Sequence, residues 1–128
     1  MTYTLSTTLT TPFADTVDAV RAALAEQGFG VLTEIDMAAT LRTKLGVDLP
    51  PYLVLGACNP PLAHRALQAD PSVGALLPCN VVVREADGAT VVEAVDPHAM
   101  MSVADSPELA AVAQDAGVRL RAALDALG

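Results

Sequence analysis

The chain has 128 residues, of which 52% are hydrophobic but only 3% aromatic, with no Trp. Its 15 acidic and 7 basic residues give a formal charge of -8. Rings for stacking on bases are therefore scarce, and a net anion repels phosphate backbones and anionic lipid surfaces, so neither nucleic acid nor membrane is an expected partner.

The length predicts one domain over residues 1–128, burying roughly two thirds of the surface of its unfolded chain in an aliphatic core. The basic residues (Arg21, Arg42, Lys44, Arg65, Arg84, Arg119, Arg121) are scattered and form no visible cationic patch. The N-terminus lacks a cationic start and a long apolar run, and no stretch approaches the ~20 apolar residues that span a bilayer. Two cysteines in such a chain fit reduced thiols in the cytoplasm better than a disulfide scaffold. The preference for Arg over Lys and the many Ala suggest a GC-rich bacterial genome.

In chain order, residues 2–10 alternate, with Tyr3, Leu5, Thr7 and Leu9 on one face, which predicts a half-buried strand. A helix follows Thr11-Pro12. Its apolar stripe is Phe13, Val17, Val20 and Leu24, and Gly28 closes it. Phe29 to Asp36 reads as a second strand and Met37 to Leu45 as a short helix stopped by Gly46. Tyr52 to Cys58 is a continuous apolar run, suited to a central strand. Asn59-Pro60-Pro61 opens a third helix that runs to about Ala69. Pro78 to Ala86 and Ala89 to Val95 form a hairpin around Asp87-Gly88. Asp96-Pro97 breaks the chain, and residues 96–105 read as a connection too short to separate two domains. Ser106-Pro107-Glu108 then caps a long final helix, whose stripe is Leu109, Val112, Ala116, Leu120, Ala123 and Leu127. The resulting order is β-α-β-α-β-α-β-β-α.

Chemistry concentrates on a repeated dipeptide. Cys58-Asn59 lies at a strand-to-helix junction, and Cys79-Asn80 lies at the start of the next strand. If Asn59 caps the helix, its side-chain oxygen accepts from Leu62, because Pro60 and Pro61 have no N–H. The helix then turns its positive end toward Cys58, a setting that can activate a thiol, with His64 one turn further on. The competing reading is structural: Cys is often a small buried hydrophobe, Asn59 only a cap, and His64 a surface residue. The two Cys-Asn pairs meet at one end of the sheet only if their strands are antiparallel.

Other candidates are thinner. Two thiols and an imidazole suit soft metals, but the spacing lacks the paired cysteines of zinc sites. His98, Met100 and Met101 are residue types that ligate copper or haem, or that fill a core. Glu34 and Asp36 are two apart on a strand, either as an acid–base pair or as a solvated face. Glycine-rich nucleotide loops, the serine-hydrolase elbow and the zinc-protease motif are absent.

Three segments resemble the domain of unknown function 302 family: Gly28 to Asp36, Ala57 to Leu67, and Leu77 to Val83. Cys58-Asn59-Pro60 followed by Ala63-His64 is the most specific part, and the likeness covers nearly the whole chain. The resemblance implies an α+β domain with a curved, mainly antiparallel five-stranded sheet and helices on one face, similar to the TATA-binding-protein fold, and it implies homodimers. It marks Glu34, Asp36, Cys58, Asn59, His64, Cys79 and Asn80 without assigning them roles. The combined expectation is a cytoplasmic dimer that binds a small ligand, metal or haem at these residues, with His64 or His98 as metal ligand. Two alternatives stand beside it: a redox sensor or enzyme with Cys58 as nucleophile and Cys79 as resolving thiol, or an interaction module without a pocket.

Overall fold

The computed structural model describes residues 2–128. Five strands form one antiparallel sheet in the order β1-β5-β4-β3-β2. They are β1 (Thr4–Leu9), β2 (Gly30–Asp36), β3 (Tyr52–Cys58), β4 (Cys79–Ala86) and β5 (Ala89–Val95). The helices are α1 (Phe13–Glu26), α2 (Met37–Leu45), α3 (Pro60–Ala69), α4 (Pro97–Met101) and α5 (Pro107–Asp125). The expected α+β architecture is thus found. Tyr3, expected on the buried face of the first strand, falls outside β1 and is exposed.

Strand alternation divides the sheet into two faces. Leu55, Val81, Val83, Val92 and Ala94 are buried on one face, against Val17, Val20 and Leu24 of α1 and Leu120 of α5. Each fully buried Leu or Val there is worth about 2 kcal/mol of transfer free energy. The other face carries Val54, Val82, Val91 and Val95, all half-buried. Asp87 and Gly88, both at positive φ, turn the β4–β5 hairpin, as the Asp-Gly pair predicts.

Three short elements depart from the expected order. A 3-10 turn occupies Pro71–Leu76, and α4 with a second 3-10 turn at Ser102–Ala104 lies within the stretch read as a connection. Asp96 explains α4. Its side chain accepts from the His98 amide at 3.0 Å, and Pro97 takes the first helical position, so the residues that end β5 also start a helix. These elements join α3 and α5 in a second apolar cluster containing Leu62, Ala66, Val73, Leu109 and Val112. The site lies where this cluster meets the end of the sheet.

A bulge at Leu32 shifts the β2–β3 register between Val31 and Thr33. Beyond it, Glu34 stands opposite Leu55, on the helix-covered side, and Thr33 stands opposite Gly56.

Candidate functional site

β3 ends at Cys58, and β4 begins at Cys79 and runs antiparallel to it. Ala57 pairs with Cys79, and Gly56 pairs with Asn80. Both Cys-Asn dipeptides therefore come to one end of the sheet, which is the arrangement that makes a shared site possible. Alternation then separates their members. Cys79 shares the covered face with Val81 and is 8% exposed, whereas Asn80 points the other way and is exposed. Cys58 pairs with Gly30 and is half-buried. Both cysteines are free.

Asn59 is buried and is held at both its oxygen and its nitrogen. Its Oδ1 accepts the Leu62 amide at 3.4 Å, as expected of the cap before two prolines. Its Nδ2 donates to the Gln27 carbonyl, also at 3.4 Å, tying α3 to the turn after α1. Arg119 Nη1 donates to the same carbonyl. Gly28, at φ +85°, leaves room for this contact; a Cβ there would sit 3.1 Å from Asn59 Nδ2. Asn59 is thus a structural tie, with one of its two amide hydrogens committed to Gln27 and its oxygen to Leu62.

Cys58, Asn59 and Cys79 line a cavity of about 310 Å3. Phe29, Leu62, Ala66, Met101, Val112 and Ala116 supply much of the remaining wall. Leu32 and Leu67, both exposed, belong to the same wall and mark its opening to solvent. No charged side chain lines the cavity, and Asn59 brings its only side-chain nitrogen and oxygen. The remaining heteroatoms are sulfurs, those of Cys58, Cys79, Met100 and Met101. Burial pushes the Cys79 thiol up to about 11, with a smaller contribution from the charge of Cys58. Cys79 is therefore a neutral thiol at neutral pH.

The other marked residues lie elsewhere. His64 is exposed on α3 and does not line the cavity. The reason is angular: Leu62 and Ala66 define the buried face, and a residue two positions along a helix is turned about 200° away. Glu34 pairs with Arg21 at 3.0 Å across to α1. Asp36 caps α2, accepting the Ala39 amide at 2.9 Å. His98 is exposed, with Nε2 2.9 Å from Gln114 Oε1. Among the described residues, no three His, Cys, Asp or Glu side chains come together to hold a metal ion. Met100 and Met101 do reach the cavity.

A pocket at the sheet edge is expected from the two Cys-Asn pairs and His64; the cavity takes in Cys58, Asn59 and Cys79 but not Asn80 or His64, and its apolar walls from α3, α4 and α5 were not foreseen. A signal for those walls is the small side chains Ala63 and Ala66 on α3 and Ala113 and Ala116 on α5. Larger residues at those positions would fill the space.

Comparison with known proteins gives a consistent result. The family model described as Domain of unknown function DUF302 matches residues 5–127. The crystal structure of an uncharacterized conserved DUF302 protein from Bacillus stearothermophilus is similar over 98% of both chains, with 31% identity and a TM-score of 0.91. No curated protein matches the chain.

Proposed function

The chain belongs to the DUF302 family, whose description carries no activity, and from its site we propose that it binds a small apolar molecule in the cavity at the end of β3 and β4. One observation carries this reading: a space of about 310 Å3 that opens to solvent beside Leu32 and Leu67 and has no charged wall. An apolar cavity of about 150 Å3 holds benzene, so one twice that size suits a two-ring aromatic or a medium-length aliphatic chain. Charged groups are excluded from its interior, because nothing there offsets their desolvation.

The thiol reading is weaker. Cys58 and Cys79 share the cavity, but a resolving cysteine must ionise to attack, and burial opposes that at Cys79. In the preferred reading Cys58 is part of the wall and Cys79 its floor, and neither reacts. Haem and metal binding lack a histidine in the cavity wall. The cavity also argues against an interaction module with no pocket.

The reading includes a homodimer in the cytoplasm. The half-buried valines on the helix-free face (Val54, Val82, Val91 and Val95) suit a second copy, and two free thiols suit a reducing compartment. Nucleic acid and membrane are not partners in this reading, in keeping with the net charge of -8.

The test is calorimetric titration with indole and with 1-octanol. Saturable binding of either, lost when Ala63→Phe fills the cavity, supports the proposal. Absence of binding to the folded protein, or binding unchanged by Ala63→Phe, overturns it.

A further inference from the structure

The apolar cavity has a polar neighbour. A second space, of about 430 Å3, is lined by His98, Ser102, Asp105 and Ser106, together with Met101 and Ala113. Met101 and Ala113 also line the apolar cavity. Met101 is 5% exposed, so its side chain stands between the two spaces. An unbranched thioether with three rotatable bonds is the kind of wall that swings aside at little cost.

The chemistry of the second space is one-sided. The Ser102 hydroxyl donates to the Ala99 carbonyl at 2.9 Å, and the Ser106 hydroxyl donates to Glu108 at 3.0 Å. Their protons are committed and Ser106 Oγ also accepts the Leu109 amide at 3.4 Å, so what the two hydroxyls still offer is their remaining lone pairs. The His98 ring is engaged with Gln114. Asp105 is exposed, sits at φ 46°, and makes no side-chain ion pair among the described residues. Glu108, in the first turn of α5, answers the positive end of that helix. The space therefore presents acceptors and a carboxylate, on a protein that is already anionic.

We infer that the two cavities form one bipartite site for a single-chain cationic amphiphile, with the aliphatic tail in the apolar cavity, an ammonium head beside Asp105, Ser102 and Ser106, and Met101 as the movable wall between them. This inference rests on the apolar-cavity reading and adds the head group and the route between the spaces. An ammonium head brings both donors and positive charge to a pocket of acceptors, and it is the smallest such group on a single aliphatic chain. A carboxylate head of the same chain length meets Asp105 and the net negative charge.

The probes are decylamine and decanoate, titrated calorimetrically at neutral pH, with indole as the reporter of the apolar cavity alone. Decylammonium should bind about fivefold more tightly than decanoate, the upper range for one partly exposed ion pair. Asp105→Asn should bring that ratio close to one; Asn tolerates the positive φ at this position, so the fold survives. Met101→Ala should raise decylammonium affinity relative to indole, and Met101→Leu, which keeps the wall, should not. Equal binding of decylammonium and decanoate, an unchanged ratio in Asp105→Asn, or Met101→Ala acting equally on decylammonium and indole overturns the inference. If indole binds and the head group makes no difference, the apolar reading stands without this extension. If neither indole nor decylammonium binds, both fall.

Discussion

Cys79 lies directly across the β3–β4 pair from Ala57, one residue short of Cys58, so two thiols share a cavity while differing in access to solvent. Their chemistry should separate accordingly. With its pKa at about 11, Cys79 has about one thiolate per thousand molecules at pH 8. Iodoacetamide at pH 8 should therefore label Cys58 well before Cys79, as read by peptide mass spectrometry. Equal labelling of both in the native protein would contradict the burial of Cys79.

The same burial ties stability to pH. Cys79 rises from its usual 9.0 to about 11 on folding, so the native chain holds its proton more tightly than the unfolded chain. Its contribution is complete below about pH 9 and is lost as pH climbs toward 11. The total loss is about 3 kcal/mol by the linkage relation. Urea unfolding at pH 8 and at pH 10.5 should show wild type losing more stability than Cys79→Ala over that interval. The difference between the two proteins removes the titration of Tyr and Lys, which both share.

Asn59 holds two elements together, and its removal should show both functions. Asn59→Ala loses the cap on Leu62 and the bond to Gln27, which predicts a loss of about 2 kcal/mol in urea unfolding. Ser106→Ala removes a cap at the less buried start of α5 and should cost about 1 kcal/mol or less. A smaller loss at Asn59 than at Ser106 would argue against the tie between α1 and α3.

Much of this was legible in the sequence, for local reasons. Two prolines after Asn59 leave Leu62 as the first available amide, so the cap and its partner follow from residue chemistry alone. The Asp87-Gly88 hairpin is equally local. What escaped depends on distant contacts. The bulge at Leu32 carries no turn residue, yet it rotates Glu34 and Asp36 toward the helices, where one pairs with Arg21 and the other caps α2. The nearness of His64 to Cys58 in sequence says nothing of helix phase, which turns His64 to solvent. The cavity arises where α3, α4, α5 and the sheet end fail to fill the space between them, and no single segment encodes that.

Gly56 is confined by its cross-strand neighbour. A Cβ there would overlap Thr33 Oγ1 and approach Pro78 Cγ to 2.9 Å. Gly56→Ala should cost about 1–3 kcal/mol through overpacking, and adding Thr33→Ala should recover part of it. Strict additivity of the two substitutions in urea unfolding would show that the residues do not touch.

The helix-free sheet face supplies the dimer surface in the proposed function. Val82 stands between Val54 and Glu93 on that face. Val82→Glu should shift the protein from dimer to monomer in sedimentation velocity while leaving its circular dichroism unchanged. A wild-type protein that sediments as a monomer would remove the dimer from the account.

The central claim is that the cavity beside Cys58 and Cys79 takes an apolar guest. Titrating isotope-labelled protein with indole, and following the backbone amides of Ala57, Cys79 and Ala113 by NMR, tests it most directly. The account predicts saturable shifts at these amides in wild type and their loss in Ala63→Phe. Shifts that fail to saturate, that centre elsewhere, or that persist in Ala63→Phe would contradict it.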